Sequence, residues 1–456
     1  MSVFIGAGAG FAGDRTDAAG PVVAALSRTE GPRFLIFETL AERTLALAQV
    51  ERRREPSSGY NPALQGFVRP VLRSCVENGI KIVSNFGAAN PRAAAERVLA
   101  IARETGCPSI RVAVVDGDDL TGALSIEALR RRETGGAVLA TRDRIVSANA
   151  YMGAAGIAEA LDEGADVVVT GRVADPSLVL GPLVHAFGWS FEDWDRLAAG
   201  TLVGHLLECG SQVTGGYFAD PGVKDVAGMD DLGYPIAEIE EDGSFVITKP
   251  HGTGGLVDRR TVTEQILYEI HDPSAYLTPD VVLDLTEVEV ATVGTDRVKV
   301  WGARGKPRPR TLKATVCVDG GYLGEAEISY AGPNASARAR LAVDTIKARM
   351  RRRAPGLEIR ADAVGLVSVL GDSRGEQLGA NWDASTLEDV RVRFAAQADA
   401  EILVSVLLDE VEALYCAGPA GGAGVRRRIT ARLASASCLV ERELTRSSVS
   451  ILEGRP

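Results

Sequence analysis

The chain is predicted to be an α/β protein: an N-terminal parallel-sheet α/β domain of Rossmann-like type over residues 1–280, followed by a smaller α+β domain over 281–456. Three observations predict this. Short, near-continuous apolar runs alternate with helix-like stretches through the first third of the chain. Each run stops at glycine or at a polar or ionisable residue. From about residue 281 the rhythm changes to consecutive strand-like segments and then a long helix.

The first run, 2–5, is followed by glycines. RFLIF (33–37) stops at Glu38, KIVS (81–84) at Asn85, IRVAVV (110–115) at Asp116, and DVVVT (166–170) at Gly171 and Arg172. Runs this rich in Val and Ile suit strands buried on both faces and joined by right-handed helical crossovers. The spacing predicts helices over 40–54, 93–105 and 156–163 between them. Residues 172–280 read as an elaboration of the same domain: helices near 182–186 and 197–209, Gly-rich loops, a hairpin over 234–247 and a helix over 262–270. Next, 288–293, 297–303, 312–318 and 325–330 read as consecutive antiparallel strands. A long helix over 335–353, a strand over 357–370, a helix over 398–415 and one or two strands complete the chain.

Composition narrows the class. With 46% hydrophobic and 24% charged residues the chain can bury a sizeable core. Its 50 glycines cluster in loops without a fixed repeat, the pattern of tight turns. A net charge of −11 argues against nucleic-acid or anionic-membrane binding. The N-terminus has no basic region before an apolar run, and no apolar stretch reaches about 18 residues. A cytoplasmic location is expected. The six cysteines are scattered with no CxxC pair, so they read as reduced thiols.

Open α/β sheets bind ligands beyond the carboxyl ends of their strands. The residues found there are Asp14 and Arg15 after the first run, Glu38 with Glu42 and Arg43 after the second, Asn85 and Asn90 after the third, Asp116, Asp118 and Asp119 after the fourth, and Arg172 and Asp175 after the last. Asn149 and Tyr151 precede the helix that leads to that last strand. The candidate catalytic set is Asp14, Glu38, Asp116, Arg172, Asn85 and Asn149. A buried carboxylate would serve as general base. Arg172 would clamp a substrate carboxylate or stabilise an enolate, and the amides would donate to an oxyanion. Arg172→Ala is expected to lose activity while retaining the fold. The rival explanation is local: loops are polar, Asp and Asn cap helices, and Arg172 can pair with Asp175.

Arg15, Tyr151, Asp175 and Lys249 are candidate substrate-binding residues, with the loop glycines Gly215, Gly216, Gly254, Gly255, Gly421 and Gly422, whose N–H groups can approach an anion. Turn formation is the rival for each loop. Gly8, Gly10 and Gly13 match GxGxxG after a strand, but Asp14 follows at once and would repel a pyrophosphate. A tight strand-to-helix turn explains them better than a dinucleotide. His205 and Cys209 stand four apart on a helix, with Glu208 between. Cys209 as nucleophile and His205 with Glu208 as metal ligands are weighed against ordinary burial. The basic stretch 297–313 reads as a solvated hairpin or a contact for coenzyme phosphates. No cofactor and no metal is called for.

The segments GAGAGFAGDRTDAA, LIFETLAERTLALAQ, GIKIVSNFGAANP, SANAYMGA, VVVTGRVADPSLVLGPL, HLLECGSQVTGGYFADPG, LGYPIAEI, HGTGGLV, EQILYEIHDPSAYLTPDV, EISYAGPNA and LYCAGPAGGAGVR together resemble the acyclic terpene utilisation family, formerly a domain of unknown function. They span nearly the whole chain. Some members carry an extra small C-terminal domain, which this chain, ending at Pro456, is expected to lack. The resemblance implies a role in the catabolism of branched, terpenoid-like acids, where substrates travel as coenzyme A thioesters and are carboxylated, hydrated and cleaved. It supplies no catalytic residues.

The preferred expectation is a lyase or hydratase-type enzyme acting on a small acidic molecule or a coenzyme A thioester. The alternatives are a non-catalytic subunit supporting an acyl-CoA carboxylase complex and a metal-dependent hydrolase. A small-molecule substrate and a homo-oligomer are expected; nucleic acid and membrane are not.

Overall fold

The apolar runs become strands because each supplies two buried faces. The structure, a computed structural model, describes residues 1–142, 144–365 and 389–454. β1 (Val3–Ala9), β2 (Arg33–Phe37), β3 (Ile80–Ser84) and β4 (Arg111–Asp116) match the expected strands, as does Val167–Thr170. Two short strands, β5 (Glu133–Thr134) and β6 (Ile145–Ala150), precede that last one, which is β7. β1, β2, β3, β7 and β4 lie side by side in that order and run parallel. Alternation then sorts the side chains. Phe34 and Ile36 pack with Ile157, Leu180 and Leu202 on one face of the sheet. Leu35 and Phe37 pack with Val22, Phe67 and Val98 on the other.

The sheet is mixed: antiparallel strands are added to the parallel ones expected from the sequence. The hairpin expected over 234–247 forms as Ile236–Ile239 and Phe245–Thr248, and its first strand docks antiparallel on β1. Arg297–Trp301 and Glu289–Gly294 extend the same edge, and Ser448–Glu453 covers β4 at the opposite edge. The sheet thereby reaches ten strands. These additions occupy ladder groups that a bare parallel sheet would leave open.

The chain divides into two compact units, Met1–Cys317 with Ser435–Pro456, and Val318–Ala434. Neither edge falls at residue 280. In the second unit, Ile359–Val364 pairs with Asp389–Ala398, which pairs with the strand ending at Ala331, all antiparallel. Helices Ala335–Arg353 and Glu401–Ala417 supply Ile346, Met350, Leu407 and Leu414 to a core that includes Tyr330 and Phe394. The segments read as separate strands over 312–318 and 325–330 are one strand, Thr311–Ala331. Its glycines permit close packing instead of a turn: a Cβ on Gly321 would lie 2.5 Å from the Ala398 carbonyl oxygen. Residues 366–370 of the strand expected over 357–370 lie outside the described residues.

Among the described residues, no helix is long and apolar enough to cross a membrane.

Candidate active site

Glu38 and Asn85 follow the in-register last residues of β2 and β3. Phe37, Phe67 and Phe86 form an aromatic block beside them, with ring centroids 5.1–5.9 Å apart. Each such pair adds about 0.5–1.5 kcal/mol beyond burial. A Cβ on Gly8 would stand 2.5 Å from the Phe37 ring, so this position in β1 admits only glycine without a shift. The block fixes the two strand ends.

On that base Asn85 Nδ2 donates to Glu38 Oε1 at 2.9 Å, and the Leu40 N–H donates to the same oxygen at 2.7 Å. Asn85 Oδ1 accepts from the Thr39 N–H at 2.7 Å and from its hydroxyl at 3.2 Å. Both bonds to Glu38 therefore fall on one oxygen. Among the described residues Oε2 has no hydrogen-bond partner. Glu38 is 7% exposed. Burial first, and then the nearby Asp175, push its carboxyl up to about 8, against the pull of Leu40, Asn85 and Arg172. At neutral pH the group holds its proton.

Arg172, two residues beyond β7, is buried. Its Nη1 donates to the Leu40 carbonyl, and its Nη2 lies 3.3 Å from Asp175 Oδ1. The guanidinium carbon sits 4.0 Å from the centroid of the Tyr151 ring, with Lys313 Nζ 4.6 Å from the same centroid. Tyr151 donates its hydroxyl proton to Glu42, whose Oε1 also lies 3.3 Å from Lys313 Nζ. Burial pushes the Glu42 carboxyl up, but Tyr151, Arg172 and Lys313 together hold it at about 2. So the segment after β2 carries one protonated and one ionised carboxyl. Asp175 has many protein groups around it yet keeps 32% of its side chain accessible. The Arg172 fork is occupied, so it supplies a fixed positive charge and not an open clamp. Its Nε has no partner among the described residues.

Asn149, expected as an oxyanion donor, directs Nδ2 to Asp118 Oδ2 at 2.8 Å, while its Oδ1 is buried without a partner. Asp118 abuts Gly171, where a Cβ would lie 2.3 Å from Oδ1. Burial raises its carboxyl to about 6, against hydrogen bonds from the Arg172 N–H and Asn149. Glu38, Asn85, Arg172, Asp175, Tyr151, Asn149 and Asp118 thus form one chain of contacts around Arg172.

The other expected residues are engaged elsewhere. Asp14 accepts from the N–H groups of Gly10 at 2.7 Å and Arg15 at 2.8 Å, and from the Tyr234 hydroxyl. Arg15 pairs at 3.0 Å with the exposed Asp17. Asp116 is exposed, and its backbone pairs with Ser448. Lys249 Nζ donates to the Thr253 carbonyl at 2.8 Å and lies 3.3 Å from Asp296. The glycine N–H groups are spent internally: Gly215 on Gln212, Gly216 on Ser211, Gly254 on Asp231 and Gly255 on Ala227. Gly421 and Gly422 belong to the second unit, beside Arg338 and against Ile328 and Tyr330. After Gly8, Gly10 and Gly13 the next helix starts only at Ala19, so these glycines do not lead directly into a helix.

Helix Trp194–Glu208 ends one residue before Cys209, and His205 turns to Glu208 instead, Nδ1 to Oε1 at 3.0 Å. Burial, followed by Glu208, keeps Cys209 a thiol. Among the described residues, no group of three or more His, Cys, Asp and Glu side chains is arranged to hold a metal ion. Thr39 and Tyr276 carry little sequence signal. Thr39 had only its place after Glu38 as a signal, and Tyr276, whose ring lies 5.6 Å from that of His205, had none. A cavity of about 470 Å³ adjoins Thr39, lined in part by Ala12, Leu47, Tyr60, Pro62 and Ala88.

The model described as "Acyclic terpene utilisation family protein AtuA" matches residues 3–451. No curated protein and no solved structure matches the chain.

Proposed function

Because the chain belongs to the acyclic terpene utilisation family, a membership covering residues 3–451, we propose that it is an enzyme of branched-acid catabolism. It adds or removes water next to the carbonyl of a small acid or a coenzyme A thioester. The observation that carries this reading is Glu38: one carboxyl oxygen fixed by two donors, the other unpartnered, the whole group buried beside Arg172. A carboxyl that keeps its proton at neutral pH can hand it to a departing hydroxyl. Burial therefore favours a proton donor over the general base expected from sequence. The buried Arg172 provides positive charge near the carbonyl or carboxylate where water screens little, and the half-exposed Lys313 adds to it more weakly. The largely apolar cavity beside Thr39 suits a branched hydrocarbon chain.

The test uses dimethylacryloyl-CoA and mesaconate, a branched enoyl thioester and a branched unsaturated dicarboxylate. Hydration of one of them in D₂O, followed by mass spectrometry, is expected for the wild type. Glu38→Gln keeps an oxygen acceptor for Leu40 but can neither give a proton to the departing hydroxyl nor take one from the attacking water, and should slow hydration about 100-fold or more. Turnover of the variant within twofold of wild type, or no hydration of either probe by the wild type, would contradict the reading.

A further inference from the structure

The end of helix Trp194–Glu208 holds a second carboxyl built like Glu38. Glu208 Oε1 is fixed by His205 Nδ1 at 3.0 Å, and Oε2 is buried with no protein partner. His205 itself is 2% exposed, its Nε2 is also unpartnered, and the Tyr276 ring packs beside it. Buried polar atoms without partners are uncommon. Here they add to the buried Arg172 Nε, which also lacks a partner.

One packing contact and two electrostatic influences tie this helix end to the site. The backbone of Cys209 and Gly210 presses on Gly10 so closely that a Cβ there would meet the Cys209 carbonyl carbon at 2.3 Å. That brings the helix end against the loop leaving β1, the neighbour of β2. Asp175 and Glu208 lie within electrostatic reach of each other, and Cys209 lies within reach of both Glu208 and Glu38. Asp175 is therefore within electrostatic reach of both carboxyls that are bonded through one oxygen, Glu38 and Glu208.

We propose that Glu208, positioned by His205, is the catalytic base of this site and works opposite Glu38. In the dehydration direction Glu208 takes the proton from the carbon next to the carbonyl. The pair of electrons left behind forms the carbon–carbon double bond. The carbon–oxygen bond breaks, and the hydroxyl leaves as water with the proton of Glu38. Glu208 ends protonated and Glu38 ionised; solvent returns the proton, and nothing is oxidised or reduced. This rests on the hydration reading above.

The experiment follows two rates on the CoA thioester of β-hydroxy-β-methylbutyrate in D₂O: deuterium uptake at the carbon next to the carbonyl, and loss of water. Glu208→Gln should lower both about 100-fold or more. Glu38→Gln should abolish water loss while deuterium uptake stays within about tenfold of wild type. His205→Gln should lower kcat about tenfold with KM unchanged, since it only orients the base, and it serves as the deciding variant should Glu208→Gln not fold. Wild-type rates in folded Glu208→Gln, or an unchanged kcat in His205→Gln, would overturn the proposal while leaving the role of Glu38 standing. A wild type that neither exchanges nor dehydrates this thioester and hydrates neither probe would remove both, and if mesaconate alone is hydrated the same two rates are read on the hydroxy acid it yields.

Discussion

Asp14 and Glu38 follow neighbouring parallel strands of one sheet, and the protein treats these two carboxyl groups in opposite ways. Asp14 closes a turn: two backbone N–H groups and a tyrosine hydroxyl are spread over its two oxygens. Glu38 is fixed through Oε1 alone, with its second oxygen unpartnered, and is pushed up to about 8 by burial. Position at a strand end thus makes a residue a candidate. What separates a structural carboxylate from a chemical one is whether its hydrogen-bonding capacity is already used.

The same contrast applies to the arginines and gives the largest expected effect. Arg172→Ala would leave the part-exposed Asp175 without its cation and the Leu40 carbonyl without its donor, a loss of about 1–3 kcal/mol in urea unfolding. Arg15→Ala breaks only a pair with an exposed partner and should cost under about 1 kcal/mol. Equal losses would erase the distinction. Arg172→Ala is accordingly a poor probe of chemistry, contrary to the sequence-based expectation that it spares the fold.

A smaller effect sharpens the comparison through pH. The Glu38 carboxyl is raised from 4.5 to about 8 on folding. Its contribution to stability is therefore full below pH 4.5 and is lost as pH rises through 8. Glu38→Gln has no proton to lose. The melting temperature of the variant minus that of wild type should grow across this window and level off above it. A difference independent of pH would mean that Glu38 ionises normally.

Much of the sheet was legible because RFLIF, KIVS and DVVVT are uninterrupted runs that stop at polar residues, and those stops are the strand ends. Glu38, Asn85 and Arg172 could be named for that reason alone. The docking of the 236–248 hairpin on β1 could not, because pairing partners far apart in sequence leave no local period. Nor could Lys313 be assigned to Tyr151, from which it is separated by more than 150 residues and to which it is joined through a backbone bond of 2.8 Å and a ring contact. The glycine loops misled for a related reason. Gly215, Gly216, Gly254 and Gly255 have the composition of an anion cradle, but their N–H groups are consumed by Gln212, Ser211, Asp231 and Ala227. Composition records the potential donors, and only the fold records which are taken.

The central claim is that Glu38 carries its proton at neutral pH. Carbon-13 NMR titration of labelled glutamate carboxyls tests it directly, with Glu38→Gln identifying the resonance by its disappearance. A midpoint near 8 is expected for that resonance, and a midpoint near the ordinary 4.5 would contradict the account.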